Sequence, residues 1–285
     1  MKNWVQKHQL ISFFVLTFLI MYSVLFTAIY LHRSADSQRW SLIWFLSMFS
    51  PTFSALIISG VIGGWTEVKR LLSGYVRWRV GVRWYLAALF LFLGPLTIGL
   101  IYSALGNPHP GLNAELTILG VTSQLIFNIF SGPVAEEGGW RGFALPRLQE
   151  KYNALVSSLI LGTIWACWHL PLYFMPVSDQ LSIPFPIYLA LNIAFATYIT
   201  WLYNNAKGSL IITILAHFCI NISASTVVGR LGLMPSMMFY YVTAGPLLVV
   251  ALILMVIHFG PRYFSRKQVT ELPSQRKFAT AAHGD

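Results

Sequence analysis

Long apolar runs separated by short polar segments dominate the pattern of this chain. Eight runs come close to or exceed the roughly 20 residues that a helix needs to cross a bilayer, and none contains Lys, Arg, Asp or Glu. We place them at Leu10–Leu31, Ser41–Gly63, Trp84–Leu105, Leu116–Val134, Ala154–Met175, Ile183–Tyr203, Ser209–Val228 and Met238–Phe259. Lipid offers the backbone no hydrogen-bond partner, and the runs lack the alternation of barrel strands, so each is predicted to be helical. The predicted fold class is all-α, a polytopic transmembrane helix bundle of about eight spans.

Composition and charge support this class. Hydrophobic residues make up 56% of the 285 positions and charged residues only 10%, whereas soluble domains carry roughly 25% charged residues. Of the 19 Lys and Arg residues, sixteen fall on the side that includes both termini, and only Arg33, Arg39 and Arg230 fall on the other. The positive-inside bias therefore predicts that both termini are cytoplasmic. The same distribution explains the net charge of +10, so we expect no nucleic-acid partner.

The chain is predicted to have one transmembrane domain, residues 1–260, with a catalytic core at about 116–228. Residues 261–285 are polar, contain Pro273 and lack apolar periodicity, which predicts a disordered cytoplasmic tail. Basic loops without a targeting signal favour the cell membrane, and a bacterial plasma membrane in particular, with membrane lipid as a partner.

Two adjacent acids depart from the usual placement of charge in such a chain. Glu136 and Glu137 directly follow the fourth run, and they lie inside the membrane zone if that helix continues to about Leu145. A charge near the bilayer centre costs roughly 2.5–3.5 kcal/mol on insertion scales. Arg141 follows Glu137 by four residues, so the two side chains share a helix face and can pair, while Glu136 points about 100° away. An ordinary helix end at the cytoplasmic interface is the alternative.

Two histidines lie inside predicted spans. His169 belongs to the fifth span, four residues after Trp165, and His217 belongs to the seventh, four residues before Asn221. A single membrane histidine is more typical of a hydrogen bond between helices. Two acids, two imidazoles and an amide together suggest a catalytic site. Zinc binds His and carboxylate, Glu can act as a general base, and His or Asn can donate a hydrogen bond to an oxyanion. This set is best suited to hydrolysis of an amide.

At these residues the sequence resembles the CAAX-protease and bacteriocin-processing (Abi) family of intramembrane proteases, which includes the type II prenyl-protein protease. That family has three short motifs: two glutamates followed after three residues by arginine, an aromatic Phe four residues before His, and a His four residues before Asn or Asp. Their counterparts here are Glu136-Glu137 with Arg141, Trp165 with His169, and His217 with Asn221. Trp165 stands where the family has Phe, which keeps an aromatic ring.

The resemblance implies a role for each of these residues in an intramembrane metalloendopeptidase. Glu136 would activate the attacking water, His169 and His217 would bind metal or orient that water, and Asn221 would help to stabilise the oxyanion. Glu137 and Arg141 would brace the site. The implied cofactor is a divalent metal, zinc first, on Glu136, His169 and His217, and a glutamate mechanism without metal stays open. The implied substrate is a protein or peptide, with or without a lipid modification.

Two other classes of function stay open at this stage. A non-catalytic membrane scaffold or bacteriocin-immunity protein of the same fold would bind a partner, although it would not need the full hydrolytic set. A proton-coupled transporter would use buried Glu and His to pass a proton, but its polar residues would be spread along a pathway, whereas here they cluster.

Overall fold

Helices form every regular element in the parts of the chain that the computed structural model describes, residues 2–32, 45–113, 117–174 and 183–265. They are α1 (Lys2–Lys7), α2 (Gln9–His32), α3 (Ser50–Ser73), α4 (Val82–Ala104), α5 (Ile118–Gln149), α6 (Ala154–Trp168), α7 (Phe185–Asn205), α8 (Leu210–Ala224) and α9 (Met237–Phe259). A 3₁₀ segment, Leu170–Phe174, extends α6, and a π-helical turn, Ser225–Arg230, extends α8. The predicted all-α class is confirmed.

Seven helices in the described part of the chain are long and apolar enough to cross a membrane. They correspond to seven of the eight predicted spans, with bounds that differ by a few residues except in α5. The chain is therefore a multi-pass membrane protein. The cytoplasmic placement of its termini stays a prediction.

The predicted second span, Ser41–Gly63, is the one that differs. Its first residues lie outside the described ranges, and α3 runs from Ser50 to Ser73 with a break at Gly63 and Gly64. Gly64 has a φ of 61°, which glycine adopts without strain. The buried residues of α3 include four small polar side chains, Ser50, Thr52, Ser54 and Ser59, besides apolar ones such as Ala55 and Ile58. Seven spans are found within the described ranges, and since the start of the second predicted span lies outside them, the number of about eight stays a prediction.

Helix α5 continues well past the predicted end of the fourth span at Val134. Two π-helical turns, Phe130–Val134 and Trp140–Ala144, interrupt it without ending it. The first contains Pro133, and the second precedes Pro146. Proline lacks an amide hydrogen, and its ring clashes with the preceding turn of an α-helix. A wider π-helical turn accommodates the missing hydrogen bond and the ring without ending the helix. As a result, Glu136 and Glu137 lie in the interior of a long helix.

Helices α6 and α7 approach each other very closely. A methyl group on Gly162 of α6 would lie 2.6 Å from the Cα of Ile193 on α7, so only glycine fits at the crossing. Small residues commonly allow such backbone approaches between membrane helices. This contact fixes the position of the end of α6, where Trp165 and His169 lie.

The first residues of the predicted tail are packed against the bundle. The Ala154 amide donates to the Arg262 carbonyl at 2.9 Å, and the Asn205 side chain donates to the Phe264 carbonyl at 2.7 Å. Phe264 is fully buried. The packed part of the chain therefore extends to Ser265, five residues beyond the predicted boundary, and residues 266–285 lie outside the described ranges.

We predict that Gly162→Ala lowers the free energy of unfolding by about 1–3 kcal/mol, the usual cost of overpacking. The measurement is the unfolding of purified protein in detergent. Gly60→Ala on α3 is the matched control, since a methyl there meets nothing within 4 Å and alanine favours helix by up to about 1 kcal/mol. Equal losses in both variants would contradict the packing argument.

Candidate active site

An ion pair lies at the centre of the site. Arg141 Nη1 is 2.6 Å from Glu137 Oε1, and neither side chain has any exposed surface. The four-residue spacing on α5 produces this contact, as the sequence predicted. Complete burial excludes the alternative in which these residues mark an ordinary helix end at the interface. Charges taken this far from water need a partner, and each supplies the other.

Glu137 also holds His217 of α8. Its Oε1 atom is 2.9 Å from His217 Nδ1. The carboxylate paired with Arg141 can only accept a hydrogen bond, so Nδ1 carries the hydrogen and Nε2 keeps its lone pair. One oxygen of Glu137 thus joins α5 to α8 and sets the tautomer and orientation of this imidazole. From the sequence resemblance, Glu137 is expected only to brace the site together with Arg141.

Glu136 points to the other side of α5, into a cluster of aromatic rings. Its Oε2 atom accepts from two indoles, Trp165 Nε1 at 2.6 Å and Trp140 Nε1 at 3.2 Å. The side chain is 2% exposed. Both donors act on one oxygen, so Oε1 is the atom left to face the interior of the site.

Gly132 keeps open a small space between three polar atoms. A methyl group at this position would lie 2.8 Å from Asn221 Nδ2 and 3.6 Å from both Glu136 Oε1 and His217 Nε2. The three atoms therefore lie close together beside Gly132, and a side chain at this position would crowd the Asn221 amide. Sequence reasoning missed Gly132, although a glycine four residues before Glu136 on the same helix face was a usable signal.

His169 belongs to the same group but is held differently. Its Nδ1 lies 2.9 Å from the Trp165 carbonyl, which can only accept, so Nδ1 carries the hydrogen and Nε2 has a free lone pair. Its ring packs edge-on against Trp168 and Tyr188. Trp165 connects it to the rest of the site, since the rings of Trp165 and His217 are 5.1 Å apart.

A wall of α3 closes the site from behind. Gly138 and Gly139, between the acids and Arg141, allow close approach: a methyl on Gly139 would lie 2.5 Å from the Pro51 carbonyl, and one on Gly138 would overlap the Tyr75 hydroxyl. Tyr75, in the turn between α3 and α4, donates to the Val134 carbonyl at 3.1 Å. Burial raises the pKa of Tyr75 above its usual value, so the phenol stays neutral and able to donate.

The residues fit a pre-formed metal centre poorly. Within the described ranges, no group of three or more His, Cys, Asp or Glu side chains is placed to hold a metal ion, and Glu136, His169 and His217 all lie within those ranges. Their free atoms could each coordinate, but catalytic zinc sites bring three protein ligands together. Zinc therefore stays a prediction from the sequence, and we derive no step through it.

The structure brings all six predicted site residues into one region, by different routes. Glu137, Arg141 and His217 are in direct contact, Glu136 and Asn221 meet His217 at Gly132, and His169 is attached through Trp165. The sequence resemblance predicts that Trp165 replaces the family's Phe simply as another aromatic ring. The structure shows instead that its indole N–H, which Phe lacks, bonds to Glu136.

Comparison with known proteins gives a family match over the part of the chain that contains these residues. The family model described as type II CAAX prenyl endopeptidase Rce1-like matches residues 118–223, which contain all six residues. The chain is also similar to CAAX prenyl protease 2 of Methanococcus maripaludis, at 27% identity over 227 residues, 74% of this chain and 82% of the relative.

We predict that Arg141→Met destabilises the protein by about 3–5 kcal/mol, because it leaves Glu137 buried without a cation. Glu137→Gln added to Arg141→Met should recover part of that loss, since the pair is then removed as a unit. Unfolding in detergent measures both. Arg70→Met is the matched control: its pair with Glu67 is partly exposed and should cost no more than about 1 kcal/mol. A loss as large in Arg70→Met would refute the burial argument.

Proposed function

Since the chain belongs to the CAAX-protease and bacteriocin-processing family, through its Rce1-like domain at residues 118–223, we propose that it is an intramembrane endopeptidase whose attacking water is activated by Glu136. One observation carries the proposal: Glu136 Oε1, His217 Nε2 and Asn221 Nδ2 all lie within 3.6 Å of one position beside Gly132. A base, an imidazole acceptor and an amide donor at one point are the groups that peptide hydrolysis needs.

The two acceptors at this point suit a water molecule. Glu136 Oε1 and the Nε2 of a neutral His217 can both accept hydrogen bonds, so a water bound between them, clear of the Gly132 backbone, can donate one hydrogen to each. Its own lone pair is then directed away from both, toward a substrate carbonyl carbon. Fixing the nucleophile in this way removes the entropy cost of orienting it during the reaction.

Asn221 supplies a hydrogen-bond donor, in contrast to the two acceptors. Its amide N–H can donate to the carbonyl oxygen as negative charge develops there, which stabilises the tetrahedral intermediate. The proton that Glu136 takes from water then passes to the leaving nitrogen as the C–N bond breaks, and the new C–O bond completes the acid product. The same carboxyl thus acts as base and then as acid.

The remaining site residues are assigned to support. Glu137 and Arg141 hold the His217 ring with its Nε2 toward the water. His169, fixed by the Trp165 carbonyl, presents its own Nε2 as a second imidazole that orients the water or the leaving group. Mutation of these residues should therefore reduce the rate through geometry or stability rather than by removing the base.

The substrate is proposed to be a protein or peptide that enters the membrane, and a lipid-modified C-terminus is the first choice. Support comes from the name of the archaeal relative, a CAAX prenyl protease, and from a site formed between membrane-spanning helices. A scaffold, an immunity factor or a transporter of the same fold would not require Glu136 to turn over a peptide.

We predict that Glu136→Gln lowers kcat by roughly 10²–10⁴-fold, the usual contribution of a general base, because an amide cannot take the proton. Purified protein in liposomes is supplied with a peptide whose C-terminal CAAX-type cysteine carries a farnesyl thioether, and with the unmodified peptide. Products are identified by mass spectrometry. Glu150→Gln, an exposed carboxylate beyond the end of α5, serves as the control and should match wild type. Full activity in Glu136→Gln would end the proposal.

Gly132→Ala should also reduce activity strongly, by about 10²-fold or more, because misplacement of reacting groups by about 1 Å has that effect. The new methyl occupies the space between Glu136, His217 and Asn221. Steady-state kinetics on the same peptides measure the loss. Gly94→Ala on α4, where a methyl meets only ordinary contacts at 3.6 Å and beyond, is expected to stay near wild type. Wild-type turnover in Gly132→Ala would show that the reaction happens elsewhere.

A further inference from the structure

Two tryptophans hold the proposed base by the same oxygen. Trp165 Nε1 donates to Glu136 Oε2 at 2.6 Å from α6, and Trp140 Nε1 donates to it at 3.2 Å from the next turn of α5. Indole has a donor and no acceptor, so both contacts favour the ionised carboxylate. The donors come from two helices, which leaves the carboxylate little freedom to rotate.

This arrangement separates the two oxygens of Glu136. Oε2 is engaged twice, whereas Oε1 faces the point beside Gly132, where His217 Nε2 and Asn221 Nδ2 also face. A carboxylate free to turn would present either oxygen, or neither, to a water at that point. The indoles therefore select the oxygen and the direction of its lone pairs.

Trp165 has further contacts that a phenylalanine could only partly reproduce. The Arg141 guanidinium lies over its ring at 4.8 Å, and its ring meets that of His217 edge-on. Its carbonyl accepts from His169 Nδ1. Phe at this position could keep the ring contacts and the backbone bond but not the bond to Glu136.

We propose that Trp165, with Trp140 as a second and weaker donor, is a positioning residue that aims Glu136 Oε1 at the reacting water. The proposal rests on the proposed function, in which Glu136 is the base. In this chain the aromatic position of the second motif thus has a polar task as well as a packing one.

Replacing Trp165 by Phe tests this, because the variant keeps an aromatic ring and loses the N–H. In the liposome assay we expect kcat per folded protein to fall roughly 10- to 100-fold, the range for losing a hydrogen bond to a charged group, with KM within about twofold of wild type. Trp140→Phe should give a smaller loss, since its bond is longer. Trp201→Phe on α7 is the matched control: the buried Nε1 of this indole has no hydrogen-bond partner within the described part of the chain, so its loss should leave kcat unchanged.

An NMR measurement tests the contact without activity. In protein labelled at the indole nitrogens of its ten Trp residues, Glu136→Ala should move the two signals that disappear in Trp165→Phe and Trp140→Phe. The Trp201 signal, assigned with Trp201→Phe, should stay in place. A role in stability alone would not produce this selective shift.

The outcomes are distinguishable. Turnover by Glu136→Gln at the wild-type rate would overturn the proposed function and this inference together. An inactive Glu136→Gln with wild-type kcat in Trp165→Phe would overturn the positioning role alone, as would an equal loss in Trp201→Phe. If Trp165→Phe does not fold, the role is rejected when Glu136→Ala moves no indole signal other than that of Trp140 and Trp140→Phe keeps full activity.

Discussion

A fully buried ion pair is the interaction on which the rest of the site depends. Arg141 and Glu137 have no exposed surface and lie 2.6 Å apart inside a chain built mainly of apolar helices. Either charge alone would be too costly at this depth. Because a carboxylate oxygen has two lone pairs, Glu137 Oε1 can accept from His217 as well as from Arg141. The buried pair thereby also fixes the orientation of the His217 imidazole.

The helices are arranged so that this pair stays away from lipid. Helix α5 passes two prolines by widening into π-helical turns, which carries the acids into its interior. Because Gly138 and Gly139 have no side chains, α3 lies directly against this part of α5. Ser50, Thr52, Ser54 and Ser59 are among the residues that α3 buries. The contacts with the two glycines come from Pro51 and Thr52 of α3 and from Tyr75 in the turn that follows it.

The surroundings of the two glutamates assign them different tasks. Glu137 faces a cation and an imidazole, so it is neutralised and serves as a support. Glu136 faces two indole donors and the open point beside Gly132, so one of its oxygens is held and the other is available. Adjacent residues on a helix point about 100° apart, and that rotation is enough to place the two carboxylates in these different surroundings.

The sequence by itself determined the class of the protein and the membership of its site. Apolar runs of bilayer length require helices because lipid cannot satisfy a backbone, and the four-residue spacings place Glu137 with Arg141 and His217 with Asn221 on common helix faces. Only the tertiary structure decided which atoms meet. The way α5, α6 and α8 cross decides that His217 bonds to Glu137 and that the indole of Trp165 reaches Glu136. The same crossings bring Asn221 and His217 next to Gly132. No local pattern encodes such crossings, because they follow from packing between residues distant in the chain.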